Sequence, residues 1–307
     1  MKGRVVKSTG SWYTVKTDQG LINSRLRGKF KQDDLKLTNP IAVGDYVELE
    51  MEAGQASSVI NEILPRENYI IRKSTRKTHF SHIIASNIDQ AFLMVTISQP
   101  RTSLGFIDRF LVSTESFRIP ATIVVNKTDL VKKEKELDFL ELLHEIYDPI
   151  GYPVLEISAL NDKDLDLLFN ESLRGKTTLI SGHSGVGKST LLNKLVPHAT
   201  QSTKEISKFS AKGVHTTTFA EMFELEGGGY LIDTPGIKEF GILDIDDFEL
   251  SHYFVEIRQY LGQCRYNNCQ HINEPGCIVL QKLEEGYIHP NRYESYLNIL
   301  YEEDDRR

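Results

Sequence analysis

Thr178-Leu-Ile-Ser-Gly-His-Ser-Gly-Val-Gly-Lys-Ser189 combines a short apolar run with a loop that contains three glycines. The residues that follow, Thr190-Leu-Leu-Asn-Lys-Leu195, have the apolar spacing of a helix. Glycines let backbone N–H groups turn inward and bind phosphate groups at the start of such a helix. The order of strand, loop and helix therefore predicts an α/β domain that binds a nucleoside triphosphate.

The glycine loop supplies the candidate phosphate contacts. The Lys188 ammonium can reach the β- and γ-phosphates, so we count it among the catalytic candidates, and the Ser189 hydroxyl can bind Mg²⁺. The remaining candidates are their neighbours in sequence: Ser181, Gly182, His183, Ser184, Gly185, Val186 and Gly187.

A second phosphate-side motif, Asp233-Thr-Pro-Gly236, follows a hairpin-like stretch that ends in Tyr-Leu-Ile. A carboxylate at the end of a strand can hold Mg²⁺ directly or through water, and the Gly236 amide can sense the γ-phosphate. The motif is short, but it gains weight from the phosphate loop upstream of it.

The base-recognition candidates lie earlier in the chain. Asn126-Lys-Thr-Asp129 follows the apolar strand that begins at Ala121, and Ser158-Ala-Leu160 follows another. The Asp129 carboxylate can accept both N1–H and the exocyclic amine of guanine, whereas adenine offers no such pair of donors. This predicts GTP and disfavours an ATPase. A resemblance to GTPases implies that Asn126 and Lys127 hold the loop and cover the ring, with Thr128, Ser158 and Ala159 completing the base site.

The order of these motifs is rotated relative to ordinary GTPases, in which the phosphate loop comes first. A rotated order still permits one site, because every motif lies on a loop at the same edge of the sheet. The fold class that we predict is multidomain α/β, with a circularly permuted P-loop GTPase domain over residues 73–240. The strand that carries Asp233 then leads directly into the domain that follows, so a switch movement could act on that domain.

The N-terminal 72 residues read as five short strands separated by turn residues, which favours an OB-fold barrel that binds RNA. Residues 1–82 hold 14 Lys and Arg against 9 Asp and Glu, and the remaining residues hold 22 against 34. Nucleic-acid contact is therefore expected at this end. Two interpretations, base or phosphate contact and core packing, stay open for Trp12, Tyr13, Arg25, Arg27, Lys29 and Lys31.

All three cysteines lie near one histidine in the C-terminal part, as Cys264-x4-Cys269-x-His271-x5-Cys277. Three thiolates and an imidazole complete a tetrahedral shell with no open position, which predicts one structural Zn²⁺ per chain. The alternative is a set of buried free thiols. We assign residues 241–307 to a mainly helical zinc-binding domain.

No apolar run approaches the roughly 20 residues that a membrane helix needs, and the start lacks the apolar stretch of a signal peptide. We therefore expect a cytoplasmic protein with no membrane partner, and a monomer.

The motif order, the barrel, Ser86-Asn-Ile-Asp-Gln90, Gly213-Val-His-Thr-Thr-Thr218 and the cysteine segment together resemble the ribosome small subunit-dependent GTPase A family of circularly permuted GTPases. The resemblance covers nearly the whole chain. It implies GTP hydrolysis with Mg²⁺ that the 30S subunit stimulates, a role in late maturation of that subunit, and a barrel that contacts 16S rRNA.

The sequence leaves more than one assignment for the residues that catalyse hydrolysis. Either Thr216 or Thr217 is expected to bind Mg²⁺ in the GTP state. Ile237 stands where many GTPases have a water-orienting glutamine, so His215 has two open roles, catalytic or structural and rRNA-facing. Val214 replaces a residue that is more often basic in the family. The rival function is a non-catalytic RNA-binding assembly module for which GTP is an occupancy signal.

Overall fold

A computed structural model describes residues 1–27, 40–52, 54, 56–73, 81–197, 220–233 and 249–301. In this part of the chain, eleven strands join one sheet in the order β10-β9-β8-β11-β13-β12-β1-β2-β3-β5-β4, and β6 and β7 form a separate hairpin. The strands are β1 Lys2–Ser8, β2 Trp12–Thr17, β3 Gly20–Leu26, β4 Tyr46–Met51, β5 Ser57–Ile63, β6 Tyr69–Lys73, β7 Ser81–Ser86, β8 Gln90–Val95, β9 Ala121–Val125, β10 Val154–Glu156, β11 Thr177–Ser181, β12 Glu221–Glu224 and β13 Tyr230–Asp233.

The first five strands close into a barrel because β1 pairs with both β2 and β4, while β3 and β5 pair in parallel. Alternate residues point inward, so Val5, Val15 and Val47 fill the interior. The predicted barrel is confirmed. The alternation also separates two neighbouring aromatics, because Tyr13 is 3% exposed in the core and Trp12 is 48% exposed on the outside.

The central domain contains a parallel sheet formed by β10, β9, β8, β11 and β13, with β12 antiparallel at the end. All residues of β8 are buried, and the residues from Ala91 to Val95 contribute alternately to two hydrophobic clusters, one on each face of the sheet. A strand covered on both faces is apolar along most of its length. The predicted α/β domain is therefore confirmed, with its parallel sheet covered on both faces.

The helices between these strands begin where side chains can satisfy free N–H groups. Ser103 accepts from the Phe106 N–H at the start of the first helix, and Asn161 accepts from the Lys163 N–H at the start of the third. The helices are α1 Leu104–Ser116, α2 Glu134–Tyr147, α3 Asp162–Leu168, α4 Lys188–Leu195, α5 Val255–Arg258, α6 Ile278–Glu284 and α7 Pro290–Leu300; short 3-10 turns cover Thr128–Leu130, Asp148–Ile150 and Leu250–Tyr253, and a π turn covers Phe169–Leu173.

The C-terminal helices pack on α1 through a buried ionic cluster centred on Arg292, which is 1% exposed. Its guanidinium donates to Asp108 of α1 at 2.5 Å and to both oxygens of Glu256 at 2.6 and 3.2 Å. The Tyr147 hydroxyl donates to the same oxygen of Asp108 at 2.7 Å. Burial alone would lower the pKa of Arg292, but the two carboxylates raise it, so the guanidinium stays charged.

Residues 86–90 fasten the barrel to the central sheet. The Asn87 side chain donates to the Gly44 carbonyl at 3.0 Å and accepts from the Glu67 N–H at 2.9 Å. The Asp89 carboxylate accepts from the Thr177 N–H at 2.6 Å, at the start of β11. This segment, which contributed to the family resemblance, therefore connects the barrel to the strand that precedes the phosphate loop.

Candidate functional site

The phosphate loop lies between β11 and α4, and two of its glycines are required by close contacts. A Cβ at Gly182 would lie 2.3 Å from the Met94 carbonyl oxygen, and one at Gly187 would lie 2.2 Å from the Asn126 amide nitrogen. Both residues also have φ in the left-handed region, at +141° and +105°. The glycine pattern in the sequence thus reflects a backbone pressed against the neighbouring strands.

Lys188 is the first residue of α4, and its ammonium folds back over the loop. It donates to the carbonyl oxygens of Gly182 at 2.5 Å and of His183 at 2.7 Å. Burial lowers the pKa of Lys188, while the nearby Asp233 carboxylate raises it. The ammonium is therefore held at the mouth of the loop, from which it can turn to a phosphate.

The polar residues beside Lys188 differ in exposure. Ser184 and Ser189 are exposed, and Val186 is buried. The Ser181 hydroxyl is buried and has no hydrogen-bond partner among the residues that the structure describes. The His183 ring stacks on Phe106 with centroids 3.7 Å apart, and burial, with a smaller effect of Lys188, lowers its pKa. A neutral His183 ring therefore forms one wall of the loop.

Asn126 joins three of the predicted motifs. Its amide nitrogen donates to the Val186 carbonyl in the phosphate loop at 2.7 Å. Its amide oxygen accepts from the Ala159 N–H at 2.9 Å. Asn126 is 2% exposed, so neither bond competes with bulk water. The motifs at 126, 158 and 182 therefore lie together although they occur in rotated order along the chain.

Lys127 adds a second link to the phosphate loop. Its backbone is left-handed, with φ of 64°, and its ammonium donates at 2.7 Å to the carbonyl oxygens of both Gly185 and Gln99. The Thr128 N–H donates to the Ile157 carbonyl at 3.2 Å. The Asp129 carboxylate is exposed and makes no hydrogen bond within the described residues. It is thus available to an incoming base.

The loop at Ser158 is organised by a carboxylate that the sequence did not reveal. The Ser158 N–H donates to Asp164 at 2.8 Å, and the Leu160 N–H makes a longer contact of 3.4 Å with the Ser158 hydroxyl. Asp164 lies in the first turn of α3, where acidic residues are favoured. That helix position is the feature of the sequence from which its role could have been predicted.

Asp233 ends β13, beside the phosphate loop. Burial raises its pKa, Lys188 lowers it, and Glu221 on the adjacent strand raises it. Asp233 therefore lies between one cation and one anion.

Several residues singled out in the sequence lie outside the described part of the chain. They are His215, Thr216, Thr217, Gly236, Val214, Ile237, Lys29 and Lys31.

The cysteine segment forms a compact cluster of four potential metal ligands, Cys264, Cys269, His271 and Cys277, whose ligand atoms all lie within 4.8 Å of one another. The His271 Nδ1 atom is 3.6 Å from the Cys264 sulfur and 3.4 Å from the Cys277 sulfur, and these two sulfurs are 3.9 Å apart. Tetrahedral zinc with ordinary bond lengths requires S···S and S···N edges of about 3.8 and 3.5 Å. The cluster therefore suits a structural zinc ion.

Neighbours that the sequence did not identify shape the loop around this cluster. The Glu274 carboxylate accepts from the N–H groups of Gln270, Ile272 and Asn273. Burial alone would raise its pKa, but these donors lower it to about 2. The hydroxyl of Tyr293 donates to the His271 carbonyl at 2.7 Å. These hydrogen bonds hold the loop in place independently of any metal–ligand bond.

Comparison with sequence families gives two matches. A profile described as RsgA GTPase matches residues 63–243, and one described as RsgA N-terminal domain matches residues 2–59. A protein from Cytophaga hutchinsonii named "Small ribosomal subunit biogenesis GTPase RsgA" is 52% identical over 309 residues, covering all of both chains. One of the same name from Bacteroides fragilis is 49% identical and covers 99% of this chain and 98% of its own.

Two solved structures are similar along the whole chain. YjeQ from Thermotoga maritima is 36% identical, with a TM-score of 0.78 over all of this chain and 99% of its own. YloQ, titled a circularly permuted GTPase, is 31% identical, with a TM-score of 0.76 over all of this chain and 96% of its own. Among the described residues, no helix has the length and apolar character needed to cross a bilayer.

Proposed function

The chain belongs to the RsgA GTPase family and hydrolyses GTP, and from this premise we propose that it acts on the small ribosomal subunit during late maturation. The proposal rests on the relatives that carry small-subunit biogenesis in their names and match this chain from end to end. In this proposal the 30S subunit stimulates hydrolysis, and the barrel contacts 16S rRNA.

The GTP site is inferred mainly from the position of Asn126, whose side chain lies between the phosphate loop and the Ser158 loop. One side chain bonds both loops, so phosphate binding at one and base binding at the other are mechanically joined. A chain with these motifs at separate places would have no such bridge. We therefore propose a single guanine-nucleotide site built from residues 126–129, 158–159, 181–189, 233 and 236.

Base recognition is proposed to depend on Asp129, whose free carboxylate can accept two hydrogen bonds from guanine. The Lys127 side chain spans the gap between this loop and the phosphate loop, because its ammonium donates a hydrogen bond to the Gly185 carbonyl oxygen. Ser158 and Ala159 already use their N–H groups within the protein. The Leu160 N–H has the longest bond of the three, so it is the amide most readily redirected to the guanine oxygen.

Hydrolysis is proposed to use Lys188 on the phosphates, with the Ser189 hydroxyl and Asp233 holding Mg²⁺. The metal would neutralise charge that develops on the transferred phosphoryl group. Lys188 needs only to leave two carbonyl oxygens to bind a phosphate, which replaces neutral acceptors by a charged one. Contributions from His215, Thr216, Thr217 and Gly236 stay predictions.

On the barrel, the proposed RNA contact is the outer face of β2 and β3. Trp12 lies opposite Arg25 in the strand register and is exposed, so it can stack on a base. Arg25 and Arg27 form ion pairs with Glu52 and Glu50. A phosphate would have to replace these carboxylates.

We further propose that the protein is a cytoplasmic monomer with three domains, which span residues 1–72, 73–240 and 241–307.

The proposal is tested by phosphate release under multiple turnover, with and without purified 30S subunits. We expect stimulation by 30S and no effect of 50S; equal rates in all three samples would refute the ribosomal role. For the base site, Asp129→Asn should weaken GTP binding by about 100-fold or more. The variant should bind XTP instead, because the asparagine amide can donate to the carbonyl that xanthine has in place of the guanine amine.

Asp138→Asn is the matched control for the base site, since Asp138 is an exposed carboxylate on α2 away from these loops. It should bind GTP as the native chain does. An Asp129→Asn variant with native preference for GTP would remove Asp129 from the site.

A further inference from the structure

Three charged residues lie opposite one another on adjacent strands where the barrel meets the central sheet. Lys7 of β1 is the register partner of Glu221 of β12, and Glu221 is the register partner of Asp233 of β13. Partners directly opposite in antiparallel strands project from the same face of a sheet. The row therefore runs from the barrel, across one strand, to the predicted Mg²⁺ ligand.

The first two members of the row form an ion pair. The Lys7 ammonium is 2.9 Å from a Glu221 carboxylate oxygen, and the two side chains are 29% and 27% exposed. Partial burial lowers the local dielectric, so the charges matter more here than on an open surface. Each charge is compensated while the pair is intact.

The second and third members are direct neighbours. Glu221 lies opposite Asp233 in the β12–β13 register, on the same face of the sheet and one strand spacing of about 5 Å away. The Glu221 charge therefore acts on Asp233, although the phosphate loop lies on the other side of β13. Lys7 lies one strand further away and controls how much of the Glu221 charge is felt.

We propose that Lys7 is a positioning residue of the nucleotide site, which sets the Mg²⁺ requirement of GTP binding by neutralising Glu221 beside Asp233. The inference rests on the proposed role of Asp233 as a Mg²⁺ ligand. It gives the barrel a direct electrostatic connection to the nucleotide, through one strand of the sheet.

The connection is easily altered because β1 and β12 share a single register pair. A ligand that draws the barrel away from β12 would separate Lys7 from Glu221 and leave a negative charge near Asp233. Linkage then requires that Mg²⁺ and nucleotide binding change the affinity of the barrel for that ligand by the same factor. An RNA strand competing for barrel lysines is a ligand of this kind.

The experiment measures the Mg²⁺ concentration that half-saturates GTP binding in the full chain, with a fluorescent GTP analogue at fixed concentration. Lys7→Met leaves Glu221 unpaired, so the required Mg²⁺ concentration should fall. Glu221→Gln leaves Lys7 unpaired, so it should rise. The Lys7→Met shift should be about fourfold, as expected for a unit charge two strand spacings, or about 10 Å, from a divalent ion in a water-like dielectric. The Glu221→Gln shift should be larger, because Glu221 lies one strand nearer. The double variant should lie between the two single variants.

The opposite signs separate this role from a structural one. Both single variants break the same ion pair, so both should lower the melting temperature in the same direction. A purely structural pair would therefore change the Mg²⁺ requirement in the same direction or leave it unchanged, and either result would overturn the inference.

Lys16→Met provides the matched control. Lys16 pairs with Glu224 at the same junction, but Glu224 lies opposite Tyr230 rather than Asp233. Its loss should leave the Mg²⁺ requirement unchanged, and a shift as large as that of Lys7→Met would overturn the specific role of Lys7. The native chain is measured first: if its GTP binding does not depend on Mg²⁺, the proposed site fails, and if it does but the paired shifts are absent, only the present inference fails.

Discussion

Replacing Asn126 with alanine removes the side chain that connects the phosphate loop to the base-binding loops. Two groups lose their partners, the Val186 carbonyl and the Ala159 N–H. Asn126 is almost fully buried, so water does not simply take its place. Each unpaired buried group costs about 1–3 kcal/mol, and we expect a total of about 2–4 kcal/mol.

That cost should appear in GTP affinity, because bound nucleotide requires both loops in their joined arrangement. A loss of 2–4 kcal/mol corresponds to a Kd increased roughly 30-fold to 1000-fold. The assay is equilibrium titration with a fluorescent GTP analogue, together with hydrogen–deuterium exchange of the peptide that covers residues 157–161. The Ala159 amide should exchange faster in the variant.

The matched control is Asn161→Ala, which removes an asparagine from the adjacent helix cap. Its side chain accepts one exposed hydrogen bond, from the Lys163 N–H, and does not touch the phosphate loop. It should lower stability by about 1 kcal/mol and leave GTP affinity unchanged. An Asn126→Ala protein with GTP affinity within about threefold of the native chain, a difference below 1 kcal/mol, would refute the reasoning.

Arg292→Ala should lower the free energy of unfolding by about 3–5 kcal/mol, because Asp108 and Glu256 are left buried without their cation; thermal unfolding measures it, and a change below about 1 kcal/mol would contradict a coupled cluster. For His144, burial alone would lower the pKa, but Asp148 and Glu156 raise it, so its stabilising contribution is complete below about pH 6.5 and is lost as the pH rises through the higher folded value. Thermal unfolding measured from below to well above about pH 6.5 should show a small loss of stability that His144→Gln abolishes, and an unchanged pH profile in the variant would exclude His144 as its source. Elemental analysis should find one zinc per chain, and Cys269→Ser should lose it and melt at a lower temperature; full zinc content in that variant would remove Cys269 from the ligand set.

Local patterns predicted much of the fold. Short strands separated by turn residues predicted the barrel, and the apolar run followed by the glycine loop predicted the strand and the turn before α4. The zinc ligands were predictable for a similar reason, since all four lie within 14 residues. Each of these signals depends on short stretches of chain whose chemistry is specific.

Contacts between distant residues could not be predicted in the same way. Lys7 and Glu221 are separated by 214 positions, and Asp108 and Arg292 by 184. Charged residues are common in both regions, so composition does not select a partner. Trp12 and Tyr13 show the same limit at short range, because alternation requires one to be inside and one outside but does not say which.

The amino-acid sequence alone determined that this chain carries a guanine-nucleotide site in rotated order and a zinc-ligand set, because those functions depend on residue types at fixed short spacings. The tertiary structure decided how the parts communicate: Asn126 joins the loops, Arg292 fastens the C-terminal helices, and Lys7 reaches the row that ends at Asp233. Hydrogen bonds and ion pairs act over a few ångströms, so these partners are defined only when folding brings their strands and helices together.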